Sequence, residues 1–336
     1  MLKIGVVIPY YQRDAAVLAR ALAHVAAQDV TDAEISVVVV DDSSPAPAEA
    51  GLTGLGETRL NGAVRVIRRP NGGPGAARNT GLDAIAGAVD AIAFLDSDDL
   101  WAPHHLRLAA DSLARGADVF FADFADFDDA KSYLRSIPEL ATLLAMAGPE
   151  HADTHIVDAA AATGPTAFAS LAATTYLAHT STIVFRADRF AKIRFAERPA
   201  MGEDHVFFLD LALSARQVAF SLTPSMRQGR GVNIYAATRE WGTEADIVRR
   251  SHNLDKHKVV LARADWPQPT RQALETALRD ERRLISWLLV RKAITDRTIP
   301  MQALRTAFRT DPASVAAAPF LALDYLASRK RTSTAA

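Results

Sequence analysis

The stretch AIAFLDSDDLW, residues 91–101, decides which fold the sequence predicts. Residues 91–95 form an apolar run that is too short for a helix, which is typical of a buried strand. Three carboxylates, those of Asp96, Asp98 and Asp99, follow at once. Crowded carboxylates repel one another, and a divalent cation with oxygen ligands relieves that repulsion. The stretch therefore predicts a metal and phosphate site at a strand end, although taken alone a solvated acidic turn is the better interpretation.

Similar apolar runs alternate with helical patterns on the N-terminal side of this stretch. Residues 4–8 and 35–40 are mostly β-branched, which predicts strands buried on both faces of a parallel sheet. Helical spacing lies between the strands, and this βαβ alternation predicts helices on both faces. Ligands bind outside the carboxyl ends of the strands in such sheets. The loops expected to converge there are residues 9–13, 41–43, 71–79 and 96–99.

Length and composition exclude several classes of protein. The 336 residues, 49% of them hydrophobic, are enough for one large domain with an appendage or for two domains. A net charge of -1 gives no overall attraction to nucleic acid, and the absence of cysteine excludes disulfides, thiolate metal sites and a cysteine nucleophile. The N-terminal apolar run is shorter than a signal peptide requires. No apolar stretch approaches the roughly 20 residues that span a bilayer, so we expect a cytoplasmic protein.

The segment NGGPGAARN, residues 71–79, is rich in glycine. A helix is predicted to begin within it and to cover residues 76–85. The glycines of this segment permit close approach of a ligand, and Arg78 is placed to meet a phosphate or a base. The spacing does not fit the dinucleotide fingerprint GxGxxG, and the chain contains no GK[ST] sequence. Asp41 and Asp42 could accept hydrogen bonds from a ribose or a base. Turns that merely need glycine, and aspartates that merely cap a turn, remain the alternatives.

Four segments together are more specific than any one of them. VVIPYYQR (6–13), VVVVDDSS (37–44), NGGPGAARNTGL (71–82) and FLDSDDLWAPHHL (94–106) resemble, in order and spacing, the inverting family 2 glycosyltransferases. MGEDHVFFLDL (201–211) is similar to the acidic catalytic segment of that family. The resemblance covers about residues 1–235. It implies an α/β fold of the GT-A type, with a mostly parallel central sheet flanked by helices as a catalytic domain over 1–238 and a helical C-terminal region over 239–336.

The resemblance also implies a role for individual residues. Asp98 and Asp99 are the candidate metal ligands, because LDSDD offers two registers for the DxD element, and the cation is Mn²⁺ or Mg²⁺. The implied nucleotide-binding residues are Pro9, Tyr10, Arg13, Asp42, Gly73, Arg78, Asp96, Ser97 and Asp98. Asp204 matches the catalytic base, with Glu203 able to do the same task and a plain helix N-cap as the alternative.

The implied reaction is metal-dependent, inverting transfer of a sugar from a nucleotide sugar, with UDP as the expected nucleotide, in polysaccharide or glycoconjugate synthesis. The acceptor is a glycan, a lipid-linked glycan or a small molecule. Two other classes stay open at this point. One is a non-catalytic protein that binds sugar nucleotides or glycans on the same fold. The other is a sugar nucleotidyltransferase, although residues 8–13 contain only one cation, Arg13.

The C-terminal region carries a different pattern. An amphipathic helix is predicted over 270–292, and beyond about residue 290 basic residues outnumber acidic ones. This basic region could contact an anionic membrane at the inner face of the cell and bring the active site to a lipid-linked acceptor. A helical appendage that packs on the catalytic domain or forms a homodimer is the alternative. Elsewhere, Tyr176 and His179 are candidates for facing the acceptor, although a lone histidine is more often structural.

Overall fold

The computed structural model describes residues 1–52, 60, 63–125, 131–160, 164–196, 201–229, 231, 240–295 and 300–323. The chain divides into two compact units. The first unit comprises residues 1–196 and 207–232, and the second comprises residues 197–206 and 233–336. The described residues 201–206, which the sequence assigns to the catalytic domain, belong to the second unit.

The described part of the first unit is built on one sheet of nine strands. In chain order these are β1 (Leu2–Tyr10), β2 (Ala33–Asp41), β3 (Val64–Arg68), β4 (Ala91–Phe94), β5 (Leu100–Trp101), β6 (Val119–Ala125), β7 (His155–Asp158), β8 (Val184–Arg186) and β9 (Gln217–Arg227). The helices are α1 (Ala16–Ala26), α2 (Pro74–Ile85), α3 (His105–Ala114), α4 (Leu140–Met146) and α5 (Ala167–Thr174). Helix α6 (Glu203–Ser214) begins in the second unit and continues in the first.

The first four strands form the parallel part of the sheet, in the order β3-β2-β1-β4. β1, β2 and β4 are largely buried, as the β-branched runs of β1 and β2 and the apolar run of β4 predict. The first strand is longer than the predicted residues 4–8, because β1 continues through Pro9 to Tyr10. Proline lacks only the N–H group, and the Tyr10 carbonyl still accepts a hydrogen bond from the Asp42 N–H at 2.9 Å. Pairing with β2 therefore extends to the strand end.

The other half of the sheet is mixed. β8 runs antiparallel between β4 and β6, while β9 is parallel to β6 and antiparallel to β5 and β7. The parallel sheet predicted from the N-terminal pattern therefore applies to β1–β4 only. The pairing of β5 with β9 sets Leu100 opposite Arg227 and Trp101 opposite Met226. The end of β9 consequently lies beside the acidic turn that precedes β5.

The core of the first unit fills the space between the sheet and its helices. Helix α1 buries every apolar position that the sequence marks for it, namely Val17, Leu18, Ala21, Leu22 and Val25. Below the acidic turn, the Phe94 ring lies 5.8 Å from Phe185, 5.2 Å from Phe195 and 5.4 Å from Phe207, centroid to centroid. Such aromatic contacts bury large side chains in defined orientations. These contacts therefore pack the strand that carries the acidic turn firmly against the core.

The second unit is helical. It contains α7 (Glu244–Ala262), α8 (Gln268–Thr295), α9 (Met301–Thr310) and α10 (Pro312–Ala316), around a core that includes Ile247, Leu254, Ile285 and Leu288. The amphipathic helix predicted over 270–292 is confirmed and is longer. Pro269 lies in its first turn, where a missing N–H costs nothing, and does not bound it. Within the described ranges, no helix combines the length and the hydropathy needed to cross a membrane.

Candidate active site

Three loops meet at the carboxyl ends of the neighbouring strands β1, β2 and β4. Gln12, after β1, donates its Nε2 to the Ser97 hydroxyl at 3.1 Å and its backbone N–H to the Ser44 hydroxyl at 3.2 Å. Ser44 in turn donates to the Tyr10 carbonyl at 3.1 Å, and the Asp41 carboxylate accepts the Ser44 N–H at 2.7 Å. The loops that the sequence expects to converge are therefore hydrogen-bonded to one another, and Asp41 acts as a turn cap.

Asp42 organises the glycine-rich loop. Its buried carboxylate accepts the N–H of Gly72 at 3.0 Å and the N–H of Gly73 at 2.8 Å, and it forms an ion pair with Arg69 at 2.6 Å. These bonds fix the backbone immediately before α2, which begins at Pro74. The anion that these N–H groups bind is therefore the Asp42 carboxylate itself. The predicted contact of Asp42 with a base stays a prediction, because its oxygens serve the loop here.

Asp96 pairs with the arginine that the sequence places beside a nucleotide. Arg78, on α2, is buried and donates Nη2 to Asp96 Oδ1 at 2.7 Å, while its guanidinium carbon lies 5.1 Å from the centre of the Phe195 ring. Burial would raise the pKa of Asp96, but the positive charges of Arg78 and His179 hold it below its ordinary value. The Asp96 side chain is 26% exposed. An ionised and accessible carboxylate thus stands at the end of β4.

The other two aspartates of the turn face the chain that follows β9. Asp98 Oδ2 accepts the Gly231 N–H at 2.8 Å, and Asp99 Oδ1 accepts the Gly229 N–H at 2.9 Å. Asp99 Oδ2 accepts the Ser181 hydroxyl at 2.6 Å. A Cβ atom at position 229 would lie 1.6 Å from the carbonyl oxygen of Asp98, so only glycine fits there. Backbone donors from a distant part of the chain therefore orient both carboxylates.

A third potential ligand joins the acidic turn. Asp96, Asp99 and His179 bring one ligand atom each to within 4.8 Å of one another. His179 Nδ1 lies 3.6 Å from Asp99 Oδ2. The centre of the His179 ring lies 5.3 Å from the centre of the Phe124 ring. Carboxylate and imidazole ligands suit Mn²⁺, and carboxylates suit Mg²⁺. The residues present therefore fit a divalent cation.

Electrostatics support the same fit. Burial raises the pKa of Asp99 to about 7, and the charges of Asp96 and Asp98 add to the rise while His179 opposes it. Burial, followed by the charge of Asp96, also raises the pKa of Asp98. Negative charge is therefore in excess at this turn, and a cation would favour the ionised carboxylates.

The sequence assigns the metal to Asp98 and Asp99, and that assignment remains a prediction. It misses His179 as a member of the cluster, because 80 residues separate it from Asp99 and no local motif marks it. Only the insertion of β8 between β4 and β6 brings the segment of His179 to the acidic turn. Ser181 lies in the same segment and is not among the predicted site residues for the same reason.

The residues predicted to border the nucleotide after β1 differ in their exposure. Arg13 is exposed, whereas Pro9 and Tyr10 are buried in β1. Burial, followed by the charge of Asp41, raises the pKa of Tyr10 to about 12. The Tyr10 ring thus belongs to the core, and its contact with a nucleotide stays a prediction, as do the roles of Ser97 and Gly73.

The acidic pair predicted for catalysis lies at the start of α6. The helix begins at Glu203, so Asp204 lies within its first turn and the N-cap alternative is wrong. Asp204 Oδ1 accepts the N–H of His205 at 2.8 Å. The free N–H groups and the dipole of a helix N-terminus stabilise a negative charge there. Catalysis by either Asp204 or Glu203 stays a prediction.

Known proteins resemble the chain in both sequence and fold. Residues 5–156 match the sequence model described as Glycosyl transferase family 2. The "Succinoglycan biosynthesis protein ExoW" of Rhizobium meliloti (strain 1021) is 36% identical over 248 residues, which cover 70% of this chain and 71% of that protein. The chain belongs to glycosyl transferase family 2. The family predicted from the four N-terminal segments is thereby confirmed, and the match favours a transferase over the two alternative classes.

Solved structures extend the likeness of this family 2 glycosyltransferase over most of its length. S. aureus TarS 1–349 in complex with UDP-GlcNAc has a TM-score of 0.56 at 18% identity, covering 94% of this chain and 91% of that chain. The mannosyltransferase PcManGT from Pyrobaculum calidifontis, in complex with GDP-Man and Mn²⁺, has a TM-score of 0.54 at 17% identity, with coverages of 96% and 86%. At such identities the likeness concerns the fold. The predicted α/β fold of the GT-A type with C-terminal helices is confirmed.

Proposed function

We propose that this glycosyltransferase moves a sugar from a nucleoside diphosphate to an acceptor hydroxyl with inversion, assisted by a divalent cation, in polysaccharide synthesis. The observation that carries the proposal is the cluster of Asp96, Asp99 and His179 beside Arg78 at the carboxyl ends of the parallel strands. The names of the relatives support it, since one acts in succinoglycan biosynthesis and two structures hold nucleotide sugars. UDP is the nucleotide we propose.

The donor is bound by charge in this proposal. Arg78 attracts the diphosphate, while the partly exposed Asp96 accepts a ribose hydroxyl. Asp99, Asp96 and His179, with Asp98 beside them, would hold the cation. A bound divalent cation would stabilise the negative charge that develops on the leaving diphosphate.

Asp204 is the base that we assign to the acceptor. Its carboxylate takes the proton of the acceptor hydroxyl while the acceptor oxygen forms a bond to the anomeric carbon of the sugar. The bond from that carbon to the diphosphate breaks on the opposite face, so a single displacement inverts the configuration. Glu203, the neighbour in the same helical turn, is the second candidate for the base.

The test is a panel of UDP-, GDP- and TDP-sugars, with and without Mn²⁺, on the wild type and on Asp204→Asn and Glu203→Gln. We expect one donor to be hydrolysed or transferred only with the cation, and Asp204→Asn to keep donor binding while turnover falls at least about 100-fold. Turnover lost in Glu203→Gln but kept in Asp204→Asn would move the base to Glu203. No binding of any sugar nucleotide would refute the proposed donor.

We also propose that the C-terminal unit contacts an anionic membrane surface that presents the acceptor. Helix α9 exposes Met301, Arg305 and Phe308, which lie on one helix face, with the exposed Arg309 beside them. Two exposed apolar side chains with arginines beside them suit the interface of a negatively charged bilayer. Flotation with anionic vesicles should recover the wild type and less of Phe308→Ser. Equal flotation with neutral vesicles, or a dimer that Phe308→Ser dissociates, would contradict this proposal.

A further inference from the structure

Within the second unit, a lysine side chain lies against the backbone that leads into α6. Gly202 has a φ of +86°, in the region that favours glycine, and it directly precedes the helix. A Cβ atom at position 202 would lie 2.8 Å from Lys256 Cδ and 3.2 Å from its Cγ. The absence of a side chain at 202 therefore leaves room for the Lys256 stem, two residues before the proposed base.

The charge of this lysine faces two acids. Burial lowers the pKa of Lys256, while the negative charges of Asp204 and Glu281 act in the opposite direction. The two carboxylates come from different helices, α6 and α8. A partly buried ammonium keeps its proton only if nearby negative charge offsets the loss of hydration. The charges of Asp204 and Glu281 therefore offset part of the effect of burial on Lys256.

Other charged groups nearby have partners of their own. Arg250 lies 3.1 Å from Asp246 and 3.5 Å from Glu281, and burial raises the pKa of Glu281 despite that arginine. Burial, followed by the charges of Lys256 and His205, lowers the pKa of His257 to about 4, so His257 is neutral at neutral pH. The histidine beside the lysine therefore adds no charge near Asp204.

We propose that Lys256 is a positioning residue for Asp204, and that its ammonium orients the carboxylate at the start of α6. The proposal rests on the proposed role of Asp204 as base. The alternative is an ion pair that only stabilises the helices. The two differ in one respect, because a purely structural lysine would not change the pH dependence of turnover.

The test compares Lys256→Met and Lys256→Arg with Lys258→Met, a matched control on the same helix. Lys258 binds Asp311 at 2.7 Å and has no assigned role in the reaction. We expect Lys256→Met to shift the acidic limb of the pH profile of kcat to higher pH by about one unit, and to lower kcat about tenfold below that limb. The KM for the donor should change less than about twofold. Lys256→Arg should restore most of kcat, and Lys258→Met should leave the profile unchanged.

A readout without turnover separates the two proposals. The titration of the Asp204 carboxyl can be followed by ¹³C NMR, with Asp204→Asn assigning the signal. A midpoint that rises in Lys256→Met supports the positioning role even if no sugar is transferred. An unchanged midpoint and an unchanged pH profile in a folded Lys256→Met would overturn it even if Asp204→Asn is inactive.

Discussion

Asp99 in the first unit and Asp311 in the second are both buried aspartates, with 2% and 4% of their surface exposed. Asp311 accepts hydrogen bonds from Lys258 at 2.7 Å and from Arg282 at 2.7 Å. Asp99 has two acidic neighbours within its own turn, and the one potential cation beside it in the described structure is His179 at 3.6 Å. The same side chain is thus matched by cations in one place and crowded by anions in the other.

The contrast separates two uses of buried charge. At Asp311 the protein supplies both partners of the ion pair, so the charge holds α7, α8 and the α10 terminus together. At Asp99 the protein supplies the anions and oriented N–H groups, and the arrangement suits a cation that comes from solution. Removing the Asp99 carboxylate should therefore lower activity but not stability. Removing the Asp311 carboxylate should lower stability but not activity.

The largest effect that we expect is the loss of transfer in Asp99→Asn. Sugar transfer should fall at least about 100-fold, because even residues that only orient metal ligands commonly change affinity or activity 10–100-fold. Unfolding of the variant by urea should show equal or greater stability, since a crowded carboxylate is removed. Initial rates and urea curves measure both quantities. The matched control is Asp311→Asn, which should keep its rate. An equal loss of activity in both variants would contradict the contrast between the two aspartates.

Asp311→Asn should instead lower stability. The substitution leaves Lys258 and Arg282 without their carboxylate, and we expect a loss of about 2 kcal/mol. The figure lies below that of a fully buried pair because Lys258 and Arg282 are 30% and 35% exposed. Urea unfolding at neutral pH measures it. The exposed pair Arg68–Glu49 is the control, since Glu49→Gln should change stability by no more than about 0.5 kcal/mol.

Mn²⁺ should stabilise the protein through the first region only. A ligand at ten times its Kd adds about 1.4 kcal/mol to the stability of the form that binds it, which corresponds to a rise in Tm of a few degrees. We expect thermal melts to show this rise for the wild type and for Asp311→Asn but not for Asp99→Asn. Equal rises in all three proteins would mean that Mn²⁺ binds elsewhere.

The smallest effect that we expect is on the stability of the protein at acid pH. Burial would raise the pKa of Asp311, but hydrogen bonds from Arg282 and Lys258 hold it below its ordinary value. Between the folded and the unfolded pKa the unfolded chain binds more protons, so stability rises with pH in that window. The contribution is complete above about pH 4 and is lost as the pH falls through the lower, folded value. Urea curves of the wild type and Asp311→Asn should converge in acid, whereas parallel pH dependences would contradict the assignment.

The fold could be predicted from sequence as far as its signals are local. The runs that form β1, β2 and β4 are apolar, and those of β1 and β2 are also rich in β-branched residues. Helix α1 repeats its apolar residues at helical spacing, so both types of element can be predicted from the local sequence. The mixed half of the sheet has no such signal. Strands as short as β5 and β8 carry two or three residues, and their direction is set by distant partners.

The candidate site divides in the same way. Arg78 and Asp96 belong to sequence motifs within the first 100 residues, and in the structure they form one ion pair. His179, Ser181 and Gly229 reach the acidic turn only through tertiary structure. Pattern reading finds residues that act with their sequence neighbours. It cannot find those that a sheet brings in from 80 or 130 residues away.

The hydrogen bond from Gly229 to Asp99 also fixes when the site can form during protein synthesis. The acidic turn emerges from the ribosome first, and its partners Gly229 and Gly231 follow 130 and 133 residues after Asp99 and Asp98. At 5–20 residues per second this delay is roughly ten seconds. Throughout that time β5 has no strand to pair with, because β9 is made last among the strands of the sheet that the structure describes. A nascent chain that stops before β9 therefore carries the aspartates of the turn without the scaffold that orients them.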